Sequence, residues 1–152
     1  MTERELVEKY CEAWNLLDAD IIEPFIDESV RYESQMVFDA LLGKEAVMGH
    51  IRGKMKAIKK NAPASNAYAE LAFVGSQKGM TIQLAMAEGR PCALLAQPVR
   101  ENILGLVLLG VSEDKITSID ICTIVPNPKD AIRTGYYPGI DEPWIEWPEV
   151  VI

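Results

Sequence analysis

The 152-residue chain is short of positive charge, of histidine and of cysteine. Its 15 Lys and Arg stand against 23 Asp and Glu, a formal net charge of −8. An excess of acid repels phosphate backbones and anionic lipid, which sets nucleic acid and membrane surfaces aside as partners. The 3 cysteines, Cys11, Cys92 and Cys122, show no C-x-x-C spacing and have 1 histidine, His50, to join them, so neither a zinc site nor a disulfide framework is expected. Long apolar runs are missing as well. The longest, 103–111, is about half of what a membrane-spanning helix needs, and glycine interrupts it at Gly105 and Gly110. The start, Met-Thr-Glu-Arg-Glu, is charged where an export signal carries a basic stretch followed by an apolar one, so the expected location is the cytoplasm, with reduced thiols. No G-x-S-x-G, P-loop, dinucleotide fingerprint, EF-hand or H-E-x-x-H occurs, so no cofactor and no metal is expected.

What is present reads as an ordinary globular chain, 49% hydrophobic and 25% charged. A chain this long buries roughly 70% of the surface it exposes when unfolded, which is enough for a core without staples. Thr2 with Glu5 forms a capping box, and behind it Leu6, Tyr10, Ala13, Trp14 and Leu17 recur at spacings of three and four, which predicts a helix over 2–17. Asp18 or Asp20 caps a second, shorter helix through Ile21, Ile22 and Phe25. Alternation over Val30-Arg31-Tyr32-Glu33-Ser34 predicts a strand. After Gly43, the stripe Val47, Ile51, Met55 and Ile58 predicts a third helix to Lys60. From Tyr68 to Val125 the pattern changes to short branched runs between turn residues. Strands are expected near 67–74, 80–87, 91–98, 103–111 and 116–125, paired antiparallel through short connections. The stretch 126–152 holds Tyr136, Tyr137, Trp144 and Trp147 among its prolines and is expected to lie extended against the domain 1–125 or a partner subunit. The fold class expected is α+β, with three N-terminal helices packed in a strongly bent, mainly antiparallel sheet.

Several segments resemble the nuclear transport factor 2-like superfamily, and its SnoaL-like branch in particular. They are Glu8-Lys9-Tyr10-Cys11-Glu12-Ala13-Trp14-Asn15, Phe25-Ile26-Asp27-Glu28-Ser29-Val30-Arg31-Tyr32, Gly43-Lys44-Glu45-Ala46-Val47 and Asp114-Lys115-Ile116-Thr117-Ser118-Ile119-Asp120. The resemblance spans about Leu6 to Val125 and implies a cone-shaped α+β barrel with a pocket between sheet and helices. Across that superfamily the pocket serves polyketide cyclases, ketosteroid isomerases, dehydratases and epoxide hydrolases, and also members that only bind. The sequence departs from the pattern in its fifth strand after the third helix, which suggests a hairpin inserted near Thr81 to Glu88, and in its Trp-rich tail.

Laid on the isomerases, the resemblance matches Tyr10 to the oxyanion-donating tyrosine and Glu33, after one gap, to the general base. The second acid has no counterpart, because 104–111 offers aliphatic residues and glycine alone. Laid on the SnoaL-like cyclases, the resemblance makes Asp120 the proton-abstracting base, since it is the one carboxylate within the last apolar strand. Alternation puts Ser118, Asp120 and Cys122 on one face and Ile119 and Ile121 on the other, and that face is either the pocket or the solvent. His50 sits at the edge of the third helix's apolar stripe, where it is a structural residue or a donor to substrate oxygen. The expected catalytic set is therefore Asp120, Tyr10 and His50, with Trp14, Glu33, Met55 and Cys122 as substrate contacts. Arg52, Lys54, Lys56, Lys59 and Lys60 read as a solvated face.

Three functions follow as expectations. As an enzyme the chain would run cofactor-free acid–base chemistry of the lyase or isomerase type on a small hydrophobic carbonyl compound. As a binder it would hold such a ligand among Tyr10, Trp14 and His50. As an interaction module it would dock a protein through the sheet face or the tail. A homodimer is expected, because both faces of 94–111 are aliphatic and three helices cover only one.

Overall fold

The computed structural model describes residues 1–34, 39–60, 67–75, 82–97, 103–124 and 128–141. The first helix, α1, runs Glu3–Leu16, and both bonds of its capping box form, Glu5 N–H to the Thr2 hydroxyl and Thr2 N–H to the Glu5 carboxylate. It stops at Leu17, whose φ of 51° turns the chain into the left-handed region. The short helix expected next is two 3₁₀ turns, Ala19–Ile21 and Glu23–Phe25, the first capped by Asp18 and the second holding Pro24 near its start. Strand β1 covers Ile26–Ser34, β2 covers Leu41–Leu42, and α2 runs Lys44–Lys60. Then come β3 (Tyr68–Val74), α3 (Ile82–Met86), β4 (Pro91–Gln97), β5 (Ile103–Ser112), β6 (Lys115–Ile124) and β7 (Ala131–Tyr136).

The seven strands form one curved, open sheet in the order β2-β1-β6-β5-β4-β3-β7. Its pairings are antiparallel except β1 with β6, which run parallel. That parallel pair follows from the chain path: β1 is separated from β6 by α2 and by the strands β3 to β5, so no hairpin joins them.

One expectation needs correcting. The segment expected as a strand near 80–87 is the helix α3. Leu84 is its buried position, whereas Ile82 and Met86, which would share a face with Leu84 in a strand, are 80% and 83% exposed. A run this short fits either period, and burial follows the helical one. With that segment removed, four strands follow α2 before residue 125, and the extra hairpin disappears. The expected boundary of the domain falls at 125, with an extended stretch after it. The stretch beyond it supplies β7, which pairs with β3 through Phe73 opposite Ile132 and Val74 opposite Ala131. Trp144 and Trp147 lie outside the described residues.

Alternation divides the core in two. On the inner face, Val107, Leu109, Ile116 and Ile119 pack with Leu6, Tyr10 and Trp14 of α1 and with Val47, Ile51 and Met55 of α2. On the outer face, Leu94, Leu104, Leu106 and Leu108 pack with Cys92, Cys122, Leu84 and Tyr137. These outer leucines are 0–3% exposed within the single chain, so among the described residues the aliphatic patch that motivated a dimer is already covered. No helix among the described residues is long and apolar enough to cross a membrane.

Candidate functional site

Among the described residues, three buried polar atoms on the inner face have no hydrogen-bond partner: Tyr10 Oη, Trp14 Nε1 and His50 Nε2. A buried donor left unmet costs about 1–3 kcal/mol, so three together need an explanation. Helical spacing puts the first two side by side, since Tyr10 and Trp14 are four residues apart on α1 and their rings meet edge to face at 6.4 Å. Tyr32 joins them to the third. It is buried on the inner side of β1, its ring lies 4.9 Å from that of His50, and its phenol is near enough to Tyr10 to add to the shift of that residue's pKa. Trp14 and Tyr10 on α1 thus form one ring pair, and Tyr32 and His50, between β1 and α2, form a second, with the two phenols close enough to interact electrostatically.

Burial sets the charge state of this group. Desolvation pushes the Tyr10 phenol far above the ordinary tyrosine value, and the Tyr32 phenol up to about 12, so both keep their protons at neutral pH. Trp14 Nε1 is the neighbour that opposes the Tyr10 shift, although no hydrogen bond closes between them. His50 is held below the ordinary histidine value, first by desolvation and then by the Lys54 ammonium one turn on. At neutral pH the cluster is therefore uncharged and rich in donors. Met55 lies buried in the same inner core.

The remaining expected site residues are elsewhere. Asp120 is paired with Leu108, an outer-face residue, and with Glu33 on the neighbouring strand. It thus stands across the sheet from Tyr10 and His50, and the expected base and donors do not share a site. The physical reason is the period of two: Ile119 and Ile121 face the helices, so Asp120 cannot. Its carboxyl is held above the ordinary aspartate value by desolvation and by Glu33, against the pull of Arg31, Ser118 and Arg90. Glu33 is exposed and ion-paired to Arg31. Cys122 is buried among the outer leucines with its thiol pushed up to about 11, and its Sγ–H donates to the Asp120 carbonyl. Neither Glu33 nor Cys122 contacts the ring cluster's face.

Tyr32 is the member that sequence reasoning missed. Its signal was present, because alternation places it with Val30 and away from Arg31 and Glu33. Among the described residues the buried carboxylates are Glu70 and Asp130. Glu70 is bound by Arg133, Tyr137 and the Gly135 N–H, and Asp130 sits at the entry to β7. No group of described residues stands ready to hold a metal ion. A separate open concavity of about 550 Å³ at the start of α2, lined by Glu28, Leu42 and Lys44, shares no residue with the rings.

No protein-family model matches the chain, and no curated protein matches it. Solved structures do. The chain is similar to an NTF2-like protein of unknown function from Mesorhizobium loti, at 13% identity over 86% of this chain and 89% of that one, with a TM-score of 0.55. It is similar to a SnoaL-like protein of unknown function from Burkholderia thailandensis, at 15% identity over 88% and 94%, with a TM-score of 0.54. It is also similar to a protein with a ketosteroid isomerase-like fold from Catenulispora acidiphila, solved with trimethylamine, at 15% identity over 78% and 85%, with a TM-score of 0.51. Identities this low establish the shared fold and carry no activity across.

Proposed function

We propose that this protein binds a small, largely apolar molecule bearing an acceptor oxygen, held by the cluster of Tyr10, Trp14, Tyr32 and His50. The observation that carries the reading is the Trp14 indole. Its Nε1–H can only donate, it is buried, and it completes no hydrogen bond among the described residues. Tyr10 Oη beside it is in the same position, so an oxygen delivered between them meets two donors in an apolar wall. Binding is favoured over turnover because the carboxylate expected to serve as base lies across the sheet. Among the described residues, His50 is left as the one imidazole of the cluster, held below the ordinary histidine value by desolvation and by Lys54. Of the two surfaces expected for an interaction module, the described part of the outer sheet face is buried within the chain, and Trp144 and Trp147 lie outside the described residues.

The test is calorimetric titration with neutral ketones of increasing bulk: acetophenone, 2-acetylnaphthalene and 1-decalone. At least one should bind, and Tyr10→Phe should weaken it about fivefold, the worth of one neutral hydrogen bond of about 1 kcal/mol. The reading fails if none of the three binds, or if Tyr10→Phe leaves the affinity unchanged.

A further inference from the structure

We infer that residues 142–152 cover the outer face of the sheet, and that they occupy there the surface through which a second copy of the chain would pair. The ring pairs lie on the inner face, so this holds or fails apart from the ligand reading. Leu94, Leu104, Leu106 and Leu108, on the outer side of β4 and β5, are 0–3% exposed. Among the described residues, the side chains of that cluster that come from outside the strands are Leu84, Ala87, Tyr137 and, partly buried, Ile140. A residue buried this fully touches roughly six to twelve others. Four side chains, one of them an alanine, do not seal four leucines together with Cys92 and Cys122, so more of the chain lies on this face.

The path of the chain points to 142–152. The Tyr137 hydroxyl donates to Glu70 at 3.0 Å, and Ile140 N–H closes a turn onto the Tyr137 carbonyl at 3.2 Å. Gly139 passes the end of α1 beside Glu12 and Leu16, and Ile140 returns to the outer cluster, where the described residues end at 141. From β7, β5 stands three strands away, roughly 14 Å across the sheet, and eleven extended residues reach about 36 Å. The segment carries Trp144, Ile145, Trp147, Val150, Val151 and Ile152, with glutamates at 142, 146 and 149 to stay in water. The other segments outside the described residues fit less well. Three of them, 35–38, 98–102 and 125–127, are short links at strand ends, 61–66 follows α2 on the inner side, and 76–81 is Ser-Gln-Lys-Gly-Met-Thr, mostly polar. A short link to β7 also holds 142–152 at an effective concentration on the order of millimolar, which favours it over a second copy.

The experiment reads nuclear Overhauser contacts between leucine methyls and indoles in the full chain. Each indole is assigned by Trp→Phe, and the methyls by Leu104→Val, Leu106→Val and Leu108→Val. An equal mixture of ¹³C-labelled and unlabelled protein separates contacts within one chain from contacts between copies. The expected result is contacts within one chain from Leu104, Leu106 or Leu108 to Trp144 or Trp147, with those methyls shifted upfield by the ring. The double variant Trp144→Ala, Trp147→Ala should lose the upfield shift. Light scattering should then turn from monomer in wild type to dimer in the variant, because a bare apolar face on the order of several hundred Å² pairs with its like. Contacts between copies would make a second chain the occupant and overturn the inference, and so would wild type without any indole contact to these methyls. A double variant that loses the contacts yet stays monomeric would overturn the blocked pairing and leave the cover in place.

Discussion

Asp120 and Tyr10 show how far single residues can be read from sequence. Tyr10 and Trp14 were legible because helical spacing is unambiguous over fourteen residues of α1. For Asp120 the alternation was legible, but which face the helices would cover was not, since both faces of the neighbouring strand are aliphatic. The two residues respond to substitution in ways that separate their roles. An ionised Asp120 costs stability because its folded-state pKa is raised, so the fold is unpenalised below about pH 4 and penalised as pH rises through the folded value. Asp120→Asn should therefore raise the thermal midpoint at pH 7, by no more than about 4 °C, and leave ketone affinity intact. An Asp120→Asn variant that loses binding would put the carboxylate back in the site. Tyr10→Phe should also stabilise the free protein, because it removes a buried hydroxyl with no partner, even as it weakens the ligand. His50 gives the opposite pH trend. Its folded-state pKa is lowered, so its contribution is complete above about pH 6.5 and declines as pH falls from there. Urea midpoints at pH 7.5 and 5.5 should differ less in His50→Gln than in wild type, and an unchanged difference would exclude His50 as the source.

At the level of elements, the informative case is β7. The sequence marks 126–152 as too apolar to be free, yet nothing in a Pro-rich stretch announces which strand it joins. The structure supplies the reason in Glu70, a fully buried carboxylate on β3. Arg133 Nε donates to it at 2.9 Å, the Tyr137 hydroxyl at 3.0 Å and the Gly135 N–H at 2.8 Å. Close backbone approach completes the seam. Gly75 N–H donates to the Asp130 carbonyl at 2.7 Å, and a Cβ at Gly75 would lie 2.4 Å from the Lys129 carbonyl oxygen. Asn15 of α1 then ties the helix to both sides, donating to the carbonyls of Ala69 at 2.8 Å and Pro138 at 2.9 Å. A polar pair inside an apolar layer is hard to anticipate, because Glu70 and Arg133 are far apart in sequence and each alone reads as a surface charge. Arg133→Met should cost about 3–5 kcal/mol by leaving Glu70 buried without its cation, and the double change with Glu70→Leu should recover a large part of that. Denaturant unfolding of the wild type and the two variants checks this. Equal losses in the single and double variants would show that β7 is held by backbone pairing alone.

For the molecule as a whole, the sequence foretold the α+β class, the order of α1, β1 and α2 before the meander and the resemblance in fold, because the long helical stripe that ends at Lys60 gives way to short branched runs. It could not foretell that the outer face of the sheet would be covered within one chain, since that depends on α3 and the segment after β6 folding back. The result is a curved sheet sealed outside by leucine and lined inside, at one point, by donors without acceptors. The central claim is that this inner point receives a ligand oxygen, and the most direct measurement follows the Trp14 indole in ¹H–¹⁵N spectra. The resonance is assigned with Trp14→Phe, and the protein is titrated with 1-decalone, which has no aromatic ring to shift its neighbours. The expected result is that the Trp14 Nε1–H signal, alone among the three indoles, moves downfield on saturation and exchanges more slowly with water. A Trp14 signal that stays in place while calorimetry shows the ketone bound would contradict the claim.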